Sequence, residues 1–185
     1  RFSLGQQVTG SQKAAAGDPY YLPDLANPSS LQINMAVEPG TYDELAFILG
    51  VDSALNVSGV QSGVLDPARG MFWTWNSGYI FTKVEGNSTA STQPNGKFEY
   101  HIGGFKSPYS AIRPMTARLS GAEKWVLGRD QTLHVDIACD FNRLFDAGFP
   151  LRISDNAVVM TPGELAMKIS LNFAGAFEIV DYTIQ

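Results

Sequence analysis

Residues 49–86 run from a long turn-rich loop straight into the densest aromatic stretch of the chain. The loop, residues 50–70, carries Asp52, Asn56 and Asp66 among Gly59, Gly63 and an Asp66-Pro67 turn. The stretch after it holds Met71, Phe72, Trp73, Trp75, Tyr79 and Phe81, with two of the 3 tryptophans. Loops of this length inside a compact domain are functional or are pinned by something. Residues 70–85 read as one long strand, with Met71, Trp73, Trp75, Tyr79 and Phe81 on one face. Phe72, Thr74, Ile80, Thr82 and Val84 then line the other, and Gly78 marks a bulge or a close backbone approach. The stretch is the packing centre of the fold, the frame of a site, or both.

The surrounding pattern is that of strands. Residues 31–38 alternate Leu31, Ile33, Met35 and Val37 with Gln32, Asn34, Ala36 and Glu38. Pro39-Gly40 turns the chain into residues 42–51, a central strand, and the two predict an antiparallel hairpin. A polar loop over 86–96 ends in Asn95-Gly96, a strong hairpin dipeptide, before a returning strand over 97–105. Further strands are expected at 2–4, 20–22, 111–120, 131–140, 155–160 and 178–185, with Trp125 in a loop and 10–17 as a loop tip. Asp140 and Gly148 bracket a short helix. Thr161, Pro162 and Glu164 predict the start of a longer one, whose stripe is Leu165, Ile169, Phe173 and Phe177. With 18 Gly, 10 Pro and 44% hydrophobic residues in 185, the expectation is one domain over 1–185. Its class is mainly β: an antiparallel β-sandwich with one C-terminal α-helix and one short helix.

Several function classes are excluded or weakened. A net charge of −5 with no basic run argues against nucleic acid. No apolar run approaches the roughly 18 residues that would span a bilayer as a helix. The single Cys139 precludes an internal disulfide and reads as a small strand hydrophobe. The chain opens at Arg1 and reads as a processed or truncated product, so the missing leader says nothing about export. No nucleophile elbow, phosphate loop, zinc-protease or dinucleotide motif is present, and the chain is expected not to be an enzyme.

The candidate chemistry lies in few residues. The two histidines are His101 and His134. His101 shares a strand face with Lys97 and Glu99, so it is either a surface or loop-facing imidazole or a metal ligand. His134 faces away from Leu133, Val135 and Ile137 and reads as an ordinary surface residue. Asp52, Asn56 and Asp66 offer the oxygen ligands calcium takes, or they cap turns through backbone hydrogen bonds. Trp73 and Trp75 pack the core, stack on a ligand, or sit beside a redox metal.

The order of short segments here resembles the MbnP family, exported copper-associated proteins. The matching residues are Gly50, Val51 and Asn56; Leu65 and Asp66; Met71, Phe72, Trp73 and Trp75; Gly78 and Tyr79; and His101, Ile102 and Gly103. The segment TPGELAMKISLNFAGAF is similar to the C-terminal helix of a branch of that family. The resemblance covers most of residues 31–180. It implies an extracytoplasmic β-sandwich, periplasmic, anchored at the outer membrane or secreted, that handles copper. It implies a centre in which a tryptophan oxidised to kynurenine joins histidines at the metal, with Trp73 or Trp75 and His101 as the matching positions. A haem enzyme that modifies the tryptophan is the implied partner. The resemblance also implies that upstream strands of the family are missing from this chain. Val57 stands where copper-linked members carry a histidine, and the family's cysteines near the His-Gly segment are absent. Three readings follow: a copper-binding or copper-handling protein, a non-enzymatic binding module of the same fold without the metal, and a calcium-stabilised domain using Asp52, Asn56 and Asp66.

Overall fold

A computed structural model describes residues 2–5, 20–118 and 123–185. Its elements in chain order are β1 (Phe2–Gly5), β2 (Gly40–Tyr42), β3 (Glu44–Leu49), α1 (Ser53–Val57), β4 (Phe72–Thr74) and β5 (Gly78–Asn87). Then come β6 (Lys97–Gly103), β7 (Arg113–Arg118), β8 (Trp125–Leu127), β9 (Leu133–Cys139), β10 (Val158–Val159), α2 (Glu164–Ala174) and β11 (Phe177–Ile184). The fold is mainly β and sandwich-like in class, with antiparallel and mixed sheets and two helices. The chain divides into two compact units.

The first unit comprises Arg1–Ile48, Pro114–Cys139 and Phe177–Gln185. It contains the sheet β1-β3-β7 and the pairs β9-β11 and β2-β8. Its core is Trp125, fully buried, with Leu45, against which Met35, Val37, Tyr42, Val135, Ile137 and Ile179 pack. Trp125 was expected in a loop; it lies instead in β8, paired with Tyr42 of β2. Residues 33–38 keep the expected alternation, with Ile33, Met35 and Val37 half-buried and Asn34, Ala36 and Glu38 exposed, whereas Leu31, expected on the buried face, is exposed. They are nevertheless not a strand, and the expected hairpin with 42–51 does not form. The reason is edge occupancy. β3 already has β1 on one side and β7 on the other. Alternation reports which side chains are buried, and ladder pairing additionally needs a free edge. Residues 20–22 are likewise not a strand, although Tyr20 is buried. The expected loop tip at 10–17 and the end of the 111–120 strand lie outside the described residues.

The second unit comprises Leu49–Arg113 and Asp140–Ala176. Its sheet runs β10-β6-β5-β4, with β10 parallel to β6 and the other pairs antiparallel. The β5–β6 hairpin forms as the Asn95-Gly96 turn predicts, Asn95 taking φ 59. Helix α2 lies on β6 and starts later than expected. Gly163, not Thr161, is its N-cap, so the capping box with Glu164 does not form. Ile169 and Phe173 are buried as the stripe requires, whereas Phe177 has left the helix for β11. The expected short helix is a 3-10 turn, Phe141–Leu144, capped by the Asp140 carboxylate, which accepts from Asn142 N. Asn172 of α2 ties that segment down, donating to the Leu144 and Phe149 carbonyls and accepting from Phe149 N.

Tyr100 sits at the centre of this unit, fully buried against Phe98 and Phe145, its hydroxyl donating to the Asn156 carbonyl at 2.8 Å. Burial pushes its phenol from 10.0 up to about 12. The folded state therefore holds this proton to higher pH than the unfolded chain. The resulting stabilisation is complete below the unfolded value and is lost as pH rises through the folded one. Thermal melts followed by circular dichroism should show Tm falling more steeply in the native protein than in Tyr100→Phe as pH climbs from 10.0 to about 12.

Candidate metal centre

The long loop is not irregular. Residues 50–70 contain α1 and two 3-10 turns, Gly63–Leu65 and Pro67–Arg69. What pins it is the side-chain amide of Asn56, which is fully buried. Its Nδ2 donates to the Val51 carbonyl at 2.8 Å and the Asp52 carbonyl at 3.1 Å, and its Oδ1 accepts from Tyr79 N at 2.9 Å. Gly78 makes room for this: at φ +75, a Cβ there would fall 2.2 Å from Asn56 Oδ1. The Tyr79 hydroxyl accepts from Gln61 N and donates to the Gly59 carbonyl, fastening the far side of the loop. Asp66 caps its 3-10 turn by accepting from Ala68 N at 2.8 Å. Asp52 holds the N-cap position of α1 without a side-chain cap bond. Asn56 and Asp66 thus spend oxygens on separate backbone amides, the turn-fastening chemistry open to them from the sequence.

The aromatic stretch is a hairpin rather than one long strand. β4 ends at Thr74, the chain turns through Trp75, Asn76 and Ser77, and β5 returns antiparallel with Phe72 opposite Tyr79. Gly78, read from the sequence as a bulge or a close backbone approach, is approached closely by Asn56 and permits the turn through its positive φ. The reversal separates the two tryptophans. Trp75, at the turn, is 66% exposed, its six-membered ring lying on Gly59 so that a Cβ there would meet Cζ3 at 1.8 Å. Trp73 is half-buried, and its ring lies on Gly103 of β6, where a Cβ would meet Cζ3 at 2.9 Å. Its indole Nε1 is buried and has no hydrogen-bond acceptor among the described residues.

Two positions along β6 from Gly103, on the same face, stands His101. It was expected to be a surface or loop-facing imidazole or a ligand; it is not on the surface, being only 7% exposed. Its Nε2 lies 2.7 Å from Glu85 Oε1 on β5. Glu85 is directly opposite Glu99, and Lys83 is opposite His101. Ligand atoms of Glu85, Glu99 and His101 all lie within 4.8 Å of one another. Lys83 approaches Glu85 at 3.4 Å and Lys97 approaches Glu99 at 2.8 Å. The contact with His101, helped by Lys83, holds the Glu85 carboxyl below its usual range against its partial desolvation. The Glu99 carboxylate pushes the Lys97 ammonium up. His134 is exposed on β9, as its alternation implies.

Glu85 and Glu99 were not singled out from the sequence, although a signal existed. The sequence places the polar loop over 86–96, and the ladder runs two residues further than that, to Asn87, with Ser88 N donating to the Gly96 carbonyl. Taking residues 88–96 as the loop places Asn87 opposite Lys97, and the carboxylates then face each other.

The MbnP family model matches residues 3–161 of the chain. The match spans the sheet β10-β6-β5-β4 and ends before α2, so the likeness of residues 161–177 to a family branch lies beyond it. No curated protein and no solved structure matches significantly.

Replacing Asn56 by Ala removes three hydrogen bonds and strands Tyr79 N in a buried site. The expected loss is roughly 3 kcal/mol in chemical denaturation, with Asn56→Asp no better because it buries a charge.

Proposed function

The chain belongs to the MbnP family, and from that premise we propose that it is a non-enzymatic, extracytoplasmic metal-binding protein of the copper-associated kind, centred on His101 and Trp73. The observation that carries this reading is their shared sheet face. A nearly fully buried imidazole stands two residues from the glycine on which Trp73 lies, and the Trp73 indole N–H is buried without an acceptor among the described residues. Imidazole nitrogen suits copper and zinc alike, and the adjoining carboxylates complete a donor set that fits a metal ion. A copper ion held here would supply redox chemistry. The protein's own part is to fix the imidazole against Glu85 and to hold the Trp73 ring on Gly103 of the same strand face. Trp73, not the solvent-facing Trp75, is then the tryptophan open to oxidation, with the oxidising equivalents drawn from a haem enzyme partner. An extracytoplasmic location follows the family, and no helix among the described residues is long and apolar enough to cross a membrane.

A second reading, a module of the same fold without metal, is favoured by Val57. Where copper-linked relatives are expected to carry a histidine, this residue is 68% exposed and offers no ligand.

Metal analysis and intact-mass measurement on protein from its native host separate the two. The first reading expects bound metal, a mass change localised to Trp73, and copper affinity at least tenfold lower in His101→Ala. An unaltered tryptophan mass together with binding indifferent to His101→Ala would leave the second.

A further inference from the structure

We propose that Glu85, Glu99 and His101 together form a site selective for a divalent cation, such as Zn²⁺ or Cu²⁺, over Cu(I), and that Lys83 and Lys97 occupy its carboxylates when the metal is absent. The proposal deepens, and rests on, the reading of His101 as a metal-centre residue; it names the class of ion that the site takes.

The donor set decides the class. One imidazole nitrogen and two carboxylate oxygens are borderline and hard ligands, which suit divalent first-row ions, whereas Cu(I) selects soft sulfur donors. Two carboxylates also balance a double positive charge, while a single charge would leave the site net negative. The positions are compatible with one ion. Ligand atoms around a tetrahedral dication at ordinary bond lengths sit about 3.3 Å apart. The three candidate atoms already lie within 4.8 Å of one another, and Nε2 to Glu85 Oε1 is 2.7 Å. The Glu85 side chain is 41% exposed, so its carboxylate has room to adjust. His101 is far less free, being 7% exposed, and so acts as the fixed anchor.

The lysines explain how such a site persists without an ion. Like charges directly opposite on paired strands repel, and Glu85 faces Glu99 in register. Lys83 and Lys97 offset that repulsion at 3.4 Å and 2.8 Å. Both ammonium groups are on long side chains with exposed routes to solvent, and surface ion pairs of this kind are weak. A dication binding the carboxylates displaces them.

The test uses the full chain stripped with EDTA, titrated calorimetrically with Zn²⁺ and, under reducing conditions with a competing chelator, with Cu(I). Glu85→Gln and Glu99→Gln keep side-chain size and should each weaken Zn²⁺ at least tenfold while leaving Cu(I) affinity unchanged. Lys97→Met should bind Zn²⁺ several-fold more tightly, because it removes a competing cation. Circular dichroism confirms that each variant is folded. Absence of Zn²⁺ binding in the native protein, or Zn²⁺ affinity unmoved by both glutamine variants, overturns the proposal. If His101→Ala still weakens Cu(I) in that case, the metal-centre reading stands without it. If His101→Ala binds both ions as the native protein does, both fall.

Discussion

The second unit depends on one buried amide. Asn56 closes α1 through the carbonyls of Val51 and Asp52 and reaches across to Tyr79 at the start of β5. An amide can do this because it donates and accepts at once, which neither a carboxylate nor an aliphatic side chain can. The exchange costs little, since every polar group involved is paired inside the protein. Its consequence is positional. With β5 anchored at Tyr79, the β4–β5 turn, the ring of Trp73 over Gly103, and the strand carrying Glu85 are all placed from one point.

The family pattern therefore has a physical reading. Gly50, at φ +116, lies so close to Phe81 that a Cβ would meet the ring at 2.9 Å. Val51 contributes a carbonyl, Asn56 the amide, Gly78 the vacancy that amide needs, and Tyr79 both a backbone N–H and a hydroxyl. The segments carrying Val51 and Asn56 and those carrying Gly78 and Tyr79, read from the sequence as separate matches, are parts of one hydrogen-bonded fastening. A glycine that clears space for a neighbour is as specific a component as the neighbour itself.

What could be read from the sequence follows how local its cause is. The β5–β6 hairpin, β9, β11 and the Asp140 cap rest on neighbouring residues and were legible. Residues 31–38 were misread because their alternation reflects burial against Trp125, while pairing was settled by β1 and β7 already flanking β3. Trp73 and Trp75 were indistinguishable because only the turn at residues 75–77 puts them in different surroundings. His101 was recognisable as a ligand type, but its burial was not. Its neighbour Glu85 is 16 residues away in the chain, brought near by a register that the polar loop sets.

The three indoles also give the protein an optical inventory. Trp125 lies fully buried in a core, Trp75 is 66% exposed to water, and Trp73 is half-buried against Gly103. Their emission bands should differ in wavelength according to that surrounding polarity. Chemical conversion of Trp73 would delete one band while the other two persist as internal standards. The chain thus carries its own colour-coded record of whether the centre has been altered.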